Sequence, residues 1–383
     1  MKIMTSRLKL NPIDMTCAED VFKHFSPDVC RYMYPKPADD INETIAFIQN
    51  CMTNYEMGKE IVFAAHLNKE NNEFIGCMGI HKIDTEYPEL GIWTKTTVHG
   101  HGYGKEGMDA LINYAKTNLN IKSLSYPVDR RNIPSRKIPE SNGGILVNRE
   151  HQVGAQGNEL EIIEYRIPIN EKIVLNHKKP LIVFDGDSIT DTRRNRLDPN
   201  SLGSGYASFL GTYFPDAEIR NLGISGHRSK ELLERWQDTL NLKPDILSIL
   251  IGINDIWHFY KHGKELAKDE YLNNLDKILQ EAKLQLPNCK IILVEPFVFP
   301  IGQYELTWQP DLNKEIQIVS QLAKKYGCIH IPMQSALDCF AQSYKMDYIL
   351  SDGVHPTEFG HKIIANIMIK ELSKLVEEYY QNN

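Results

Sequence analysis

Leu181-Ile182-Val183-Phe184-Asp185-Gly186-Asp187-Ser188-Ile189-Thr190 is the stretch on which the fold turns. Four apolar residues in a row are too short for a buried helix and read as a strand covered on both faces, the pattern of a parallel sheet. The acidic, glycine-bearing turn that follows puts a serine just past the carboxyl end of that strand, where open α/β sheets build their active sites. Downstream, apolar runs at 246–251, 291–294 and 329–331 alternate with helical periodicity over 229–240, 271–285, 312–326 and 357–372. That rhythm predicts an α/β/α sandwich around a parallel sheet.

Upstream the pattern changes. Short runs rich in β-branched and aromatic residues at 61–67, 74–83, 90–97, 123–129 and 160–169 outnumber the helices and lie close enough for hairpins, which predicts a largely antiparallel sheet in an α+β domain. Asn170-Glu171-Lys172 and His177-Lys178-Lys179-Pro180 flank a short apolar patch between the two patterns. The expected organisation is a first domain over 1–170, a linker over 171–179 and a second domain over 180–383. A chain of 383 residues suits two domains.

Composition removes several classes of function. Lys and Arg total 43 against 50 for Asp and Glu, a net charge of -7, so the basic surface that neutralises nucleic-acid phosphates or anionic lipid is absent. The longest apolar stretches, such as 246–253, fall well short of the roughly 20 residues of a membrane helix. Residues 1–12 lack the apolar core of a secretory signal. The seven cysteines are scattered and never form a C-x-x-C pair, which argues against a disulfide framework and a zinc site. The expected setting is a reducing cytoplasm, with no nucleic-acid or membrane partner; a homo-oligomer stays open.

Three further segments join Ser188. Asn221-Leu222-Gly223-Ile224-Ser225-Gly226 is a loop where a backbone N–H can approach a ligand. Gly252-Ile253-Asn254-Asp255 follows a strand and brings an amide to the same sheet edge. Asp352-Gly353-Val354-His355-Pro356 presents a carboxylate and an imidazole three residues apart. Taken singly, each also reads as an ordinary capping or Asx turn. Together they supply what ester hydrolysis needs: a nucleophile, a base, a carboxylate to orient the base, and donors for the oxyanion.

In order and content these blocks resemble the SGNH (GDSL) hydrolase family over residues 178–378. The resemblance implies a flavodoxin-like fold, Ser188 as nucleophile, His355 as base, Asp352 as its partner, and the Ser188 N–H, Gly223 N–H and Asn254 side chain as oxyanion hole. Thr190-Asp191, Gly203-Ser204-Gly205-Tyr206, Arg235-Trp236 and Asp255-Ile256-Trp257 resemble the carbohydrate acetylesterase branch. An acetylated sugar is the substrate that this implies, and Trp257 suits a sugar face.

In the first half, a strand leads into His99-Gly100-His101-Gly102-Tyr103-Gly104-Lys105-Glu106-Gly107 and then a helix over 105–117. Glycines at a helix start let backbone N–H groups face an anion. With Arg7-Leu8-Lys9-Leu10, Glu89-Leu90-Gly91-Ile92-Trp93 and Asn132-x-x-Ser135-Arg136, this region resembles the GNAT N-acetyltransferase superfamily, ribosomal-protein type, over about residues 5–169. By that resemblance Gly102, Tyr103, Gly104 and Lys105 hold the pyrophosphate of acetyl-CoA and Asn132 orients the pantetheine arm. It also implies that Ser135 protonates the leaving thiolate and Glu89 is the base for the acceptor. His99 replaces the family's usual Arg or Gln.

The expected protein is therefore a bifunctional enzyme that handles acetyl groups, with acetyl-CoA as donor and no metal. A rival keeps the esterase but makes the first domain a non-catalytic module that binds acetyl-CoA or a sugar. A phosphate-ester hydrolase using Asp187 and Asp352 with a metal is a third reading.

Overall fold

A computed structural model describes residues 2–69, 72–170, 178–263, 269–302 and 304–382. Most of the expected linker, 171–177, lies outside the described residues. The chain divides into two compact units, Met1–Asn176 and His177–Asn383.

In the first unit the alternation of apolar residues along the strands builds a sheet buried on both faces. Its strands are β1 (Ile3–Met4), β2 (Leu8–Pro12), β3 (Ile61–Leu67), β4 (Phe74–His81), β5 (Glu89–Thr94), β6 (Ser123–Asp129), β7 (Ile145–Val153) and β8 (Glu159–Pro168), in the order β1-β2-β3-β4-β5-β6-β8-β7. Leu10, Phe63, Ile80 and Leu90 face the helix Tyr103–Asn118 through Met108, Leu111 and Ile112. Val62, Ala64 and Cys77 face the helices Ala18–His24 and Ile41–Glu56 through Val21, Ile48 and Cys51. Neighbouring strands are antiparallel except β5 and β6, which pair in parallel only at Glu89 and Ser125. Beyond that bridge the ladder stops, leaving the facing edges of β5 and β6 open to each other. The strand expected over 90–97 ends at Thr94, where Lys95 turns the chain into the short helical turn Thr96–Val98 and reaches Glu73 at 2.6 Å.

The second unit has five parallel strands, β9 (Leu181–Gly186), β10 (Glu218–Asn221), β11 (Ile246–Leu250), β12 (Lys290–Val294) and β13 (Ile329–Ile331), in the order β10-β9-β11-β12-β13. Strand period sorts Ile182 and Phe184 toward the helices Tyr206–Tyr213 and Glu358–Asn382, and Val183 toward Glu270–Gln285 and Gln309–Tyr326. The strand order reverses at β9, so the loops after β9, β10 and β11 gather at a topological switch point.

The single helix expected over 229–240 is broken into Ser229–Glu234 and Trp236–Asn241. Its break is Arg235, whose guanidinium donates to both oxygens of the fully buried Asp185 at 2.6 and 3.1 Å and to the Gly186 carbonyl at 3.2 Å. A buried carboxylate without a counter-charge is costly, and that attraction outweighs an uninterrupted helix. Among the described residues no helix is long and apolar enough to cross a membrane.

Candidate active sites

At the end of β9, Asp187 caps the turn Ser188–Asp191, its Oδ1 accepting the Ile189 N–H at 2.9 Å. The Ser188 N–H is thereby left without an acceptor among the described residues. Ser188 Oγ lies 3.1 Å from His355 Nε2, and His355 Nδ1 lies 2.8 Å from Asp352 Oδ2. An ionised carboxylate only accepts, so the proton sits on Nδ1 and Nε2 is free to accept from the serine hydroxyl. Asp352 Oδ1 takes the N–H groups of Val354 at 3.0 Å and His355 at 2.7 Å. Partial burial works against the charge on Asp352, but these bonds outweigh it and hold its pKa below the usual range. The loop thus brings Ser188, His355 and Asp352 into one chain of hydrogen bonds.

Asp187 is fully buried, and burial pushes its pKa up to about 7 against the Ile189 N–H and the positive charge available at His355. Its Oδ2 has no hydrogen-bond partner among the described residues.

Asn254 sits in the first turn of the helix Ile253–His262 and donates from Nδ2 to the His227 carbonyl at 3.1 Å. That fixes the amide and leaves its second hydrogen available.

Gly223 departs from expectation. Its N–H donates to Asn221 Oδ1 at 2.9 Å, and a Cβ on it would lie 2.4 Å from the Asp191 nitrogen. This glycine closes an Asx turn and lets two backbones pass, so its N–H is not offered to a substrate. In the same loop the N–H without an acceptor among the described residues is that of Gly226, which has φ +82° and open space around it. Ile224 N–H bonds to the Gly186 carbonyl at 3.0 Å and Ser225 N–H to Asp191 Oδ2 at 2.9 Å, which moors the loop beside Ser188. Gly226 adjoins His227, the residue that holds Asn254. The sequence displays both glycines, and only the main-chain bonding distinguishes them. Trp257, half-buried, has its ring 5.7 Å from that of His355 and 5.8 Å from Trp308.

In the first unit, the N–H groups of Gly102, Tyr103, Gly104 and Lys105 have no acceptor among the described residues, because they open the helix Tyr103–Asn118. Gly102 has φ +77°, and a Cβ there would meet only Arg7 Nη2, at 3.6 Å. Arg7 lies over the Tyr103 ring at 4.6 Å and donates to the His101 carbonyl at 3.0 Å. Glu106 fastens this corner. Partial burial raises its pKa, but hydrogen bonds from Thr5, Arg7 and Ser6 prevail and hold it down at about 2. Free N–H groups, a helix start and an arginine fit the pyrophosphate of a coenzyme A thioester.

Asn132 caps the helix Ile133–Ser141 by accepting the Ser135 N–H at 3.3 Å. Ser135 Oγ is 2.9 Å from the hydroxyl of Tyr126, a buried residue that the sequence reading did not single out; burial pushes Tyr126 up to about 12, against the Ser135 bond. Glu89 Oε2 is paired with Lys82 Nζ at 2.8 Å, on a polar groove with Glu164 and Arg166. His99 Nε2 is 3.0 Å from the Thr94 carbonyl.

A serine-histidine-aspartate relay at a parallel switch point defines a serine hydrolase, and the other unit has the architecture of an acyl-CoA-using fold. Residues 184–363 match the GDSL-like Lipase/Acylhydrolase family and residues 7–145 the Acetyltransferase (GNAT) domain. An acetylxylan esterase of Geobacillus stearothermophilus is 32% identical over 207 residues, 50% of this chain and 93% of that protein. An uncharacterised N-acetyltransferase, p20, of Bacillus licheniformis is 30% identical over 142 residues, 36% of this chain and 79% of that protein. Among solved structures, a catalytic mutant of the Geobacillus esterase is 31% identical with a TM-score of 0.45, covering 50% of this chain and 93% of its own. The chain belongs to the GDSL hydrolases through its second unit and to the GNAT acetyltransferases through its first.

Proposed function

We propose that the second unit is a serine esterase that removes O-acetyl groups from a carbohydrate, and that the first transfers acetyl from acetyl-CoA. The observation that carries the esterase reading is the continuous relay from Ser188 through His355 to Asp352. His355 takes the serine proton as Oγ attacks the acetyl carbonyl and gives it to the departing sugar oxygen; water, deprotonated by the same imidazole, then attacks the acetyl-serine, releasing acetate as Ser188 regains its proton. The oxyanion is received by the free N–H groups of Ser188 and Gly226 and the remaining Asn254 hydrogen. Trp257 beside His355 gives a flat face for a sugar ring, and the kinship with an acetylxylan esterase supports an acetylated xylo-oligosaccharide.

Acetyl-CoA supplies an activated thioester to the first unit. Gly102 to Lys105 would hold its pyrophosphate, Asn132 would orient the pantetheine arm, and the Ser135–Tyr126 hydroxyl pair would hold a proton for the thiolate. All seven cysteines are unpaired thiols, which supports a reducing compartment such as the cytoplasm.

The test is hydrolysis of p-nitrophenyl acetate and acetylated xylo-oligosaccharides by the wild type and Ser188→Ala. Turnover by the wild type and none by the variant is expected. Equal turnover would reject the relay. Supplying labelled acetyl-CoA with amines and sugars to both proteins tests the transferase.

A further inference from the structure

The first unit contains a mainly apolar cavity of about 320 Å³ that neither the coenzyme loop nor Glu89 reaches. Phe25, Phe47 and Trp93 line it together with His81, and Lys36, Glu43 and Thr44 add polar groups to its wall. His81 Nδ1 is 2.8 Å from Glu60 Oε2, and Glu60 Oε1 is in turn held by Asn54 Nδ2 at 3.0 Å. Glu60 accepts a hydrogen bond from Nδ1–H, so in the neutral ring Nε2 carries the lone pair, and no group among the described residues donates to it. Nε2 sits directly over Gly91: a Cβ on that glycine would lie 2.9 Å away. Gly91 belongs to β5, the strand whose edge opens toward β6 beyond Glu89 and whose end leads into the coenzyme loop. A base with a free lone pair therefore lines the apolar cavity and stands over β5, the strand that borders the gap in the sheet.

We propose that this cavity is the acceptor pocket of the transferase, that its ligand is a small primary amine with an aromatic or branched aliphatic body, and that His81 takes the proton from the amine nitrogen. The inference rests on the transferase reading of the first unit. The amine nitrogen bonds to the acetyl carbon, the carbon–sulfur bond breaks, and its electron pair leaves with the thiolate. His81 Nε2 accepts the amine proton, and the Ser135–Tyr126 pair gives a proton to the thiolate, so the products are an acetamide and a free thiol. Glu60 acts through His81 as a positioning residue. The exposed lining is more apolar than polar, which suits an aromatic or aliphatic body better than a sugar ring, so the acceptor differs in kind from the carbohydrate of the esterase.

The experiment uses the full chain, acetyl-CoA, and phenethylamine against glucosamine, with thiol release as one readout and Trp93 fluorescence as the other. Phenethylamine should be the better acceptor, and His81→Gln should lower kcat by at least about 10²-fold with acetyl-CoA affinity kept. Glu60→Gln should lower kcat with KM little changed, and Glu60→Asp should restore part of it. A preference for glucosamine, or full activity in His81→Gln with retained acetyl-CoA binding, overturns the proposal while leaving the transferase reading standing. If no acceptor releases thiol, the transferase reading fails by itself, and fluorescence decides the pocket. Saturable quenching by phenethylamine that Ala38→Phe and Trp93→Phe abolish supports the site, and its absence overturns it.

Discussion

Asn254 Nδ2 donates to the main-chain carbonyl of His227 at 3.1 Å, which joins the loop after β11 to the loop after β10. A side-chain amide held this way cannot swing to follow a substrate, so its free hydrogen is oriented before the reaction begins. We expect Asn254→Ala to lower kcat for p-nitrophenyl acetate by about 10²-fold to 10³-fold with KM nearly unchanged. A change confined to KM would assign Asn254 to ground-state binding.

The two glycines of the neighbouring loop should separate cleanly. In Gly223→Ala the new methyl meets the Asp191 nitrogen and Thr190, an overpacking that costs about 1–3 kcal/mol and lowers the melting temperature. In Gly226→Ala the methyl has room, and the left-handed backbone costs about 1 kcal/mol, while turnover falls because the N–H is tilted. Thermal melts and kcat on both variants check this; full turnover in Gly226→Ala would remove it from the oxyanion hole.

Asp352→Asn keeps the loop bonds to Val354 and His355 but lets the amide hydrogen oppose Nδ1. The imidazole then favours the wrong tautomer, and kcat should drop by about 10⁴-fold with the fold intact. A loss under tenfold would show that Asp352 does not orient the base.

Asp187 predicts a pH dependence of stability. Its folded pKa of about 7 lies above the ordinary 3.8, so between these values the folded state holds a proton that the unfolded chain has released. Stability from this group is therefore present at low pH and lost as pH rises through 7. Asp187→Asn keeps an oxygen for the Ile189 N–H and removes the charge. Relative to the wild type it should gain at least about 1 kcal/mol between pH 5 and pH 8 in urea denaturation. Parallel curves would refute the buried proton.

Glu106 has the opposite sign. With its pKa held at about 2, its contribution is complete above the ordinary 4.5 and lost as pH falls toward 2. Glu106→Gln should destabilise the first unit by about 1 kcal/mol at pH 7 and flatten its acid unfolding over that window, followed by circular dichroism.

Some of this architecture is carried by local chemistry. Runs that are apolar at every position, such as 181–184 and 291–294, must be covered on two faces, so the parallel sheet and its strand ends follow from the sequence. Ser188, Asn254, Asp352 and His355 lie at those ends for the same reason. Two of the edge strands were not legible: β7 is largely exposed and polar, and β10 has one buried apolar residue in Ile219, so pairing with β8 and β9 rather than periodicity makes them strands.

The remaining distinctions depend on partners far away in sequence. Whether Gly223 or Gly226 offers its N–H depends on where the Asn221 side chain turns, and whether 229–240 is one helix depends on a buried aspartate 50 residues before Arg235. Glu89 and His81 are cross-strand neighbours, yet one meets Lys82 and the other Glu60, and only the second lines the apolar cavity. Residue type and strand period decide which chemistry is present and at which edge of a sheet it lies. Hydrogen-bond competition among groups that folding brings together decides which donors and lone pairs are left free to act.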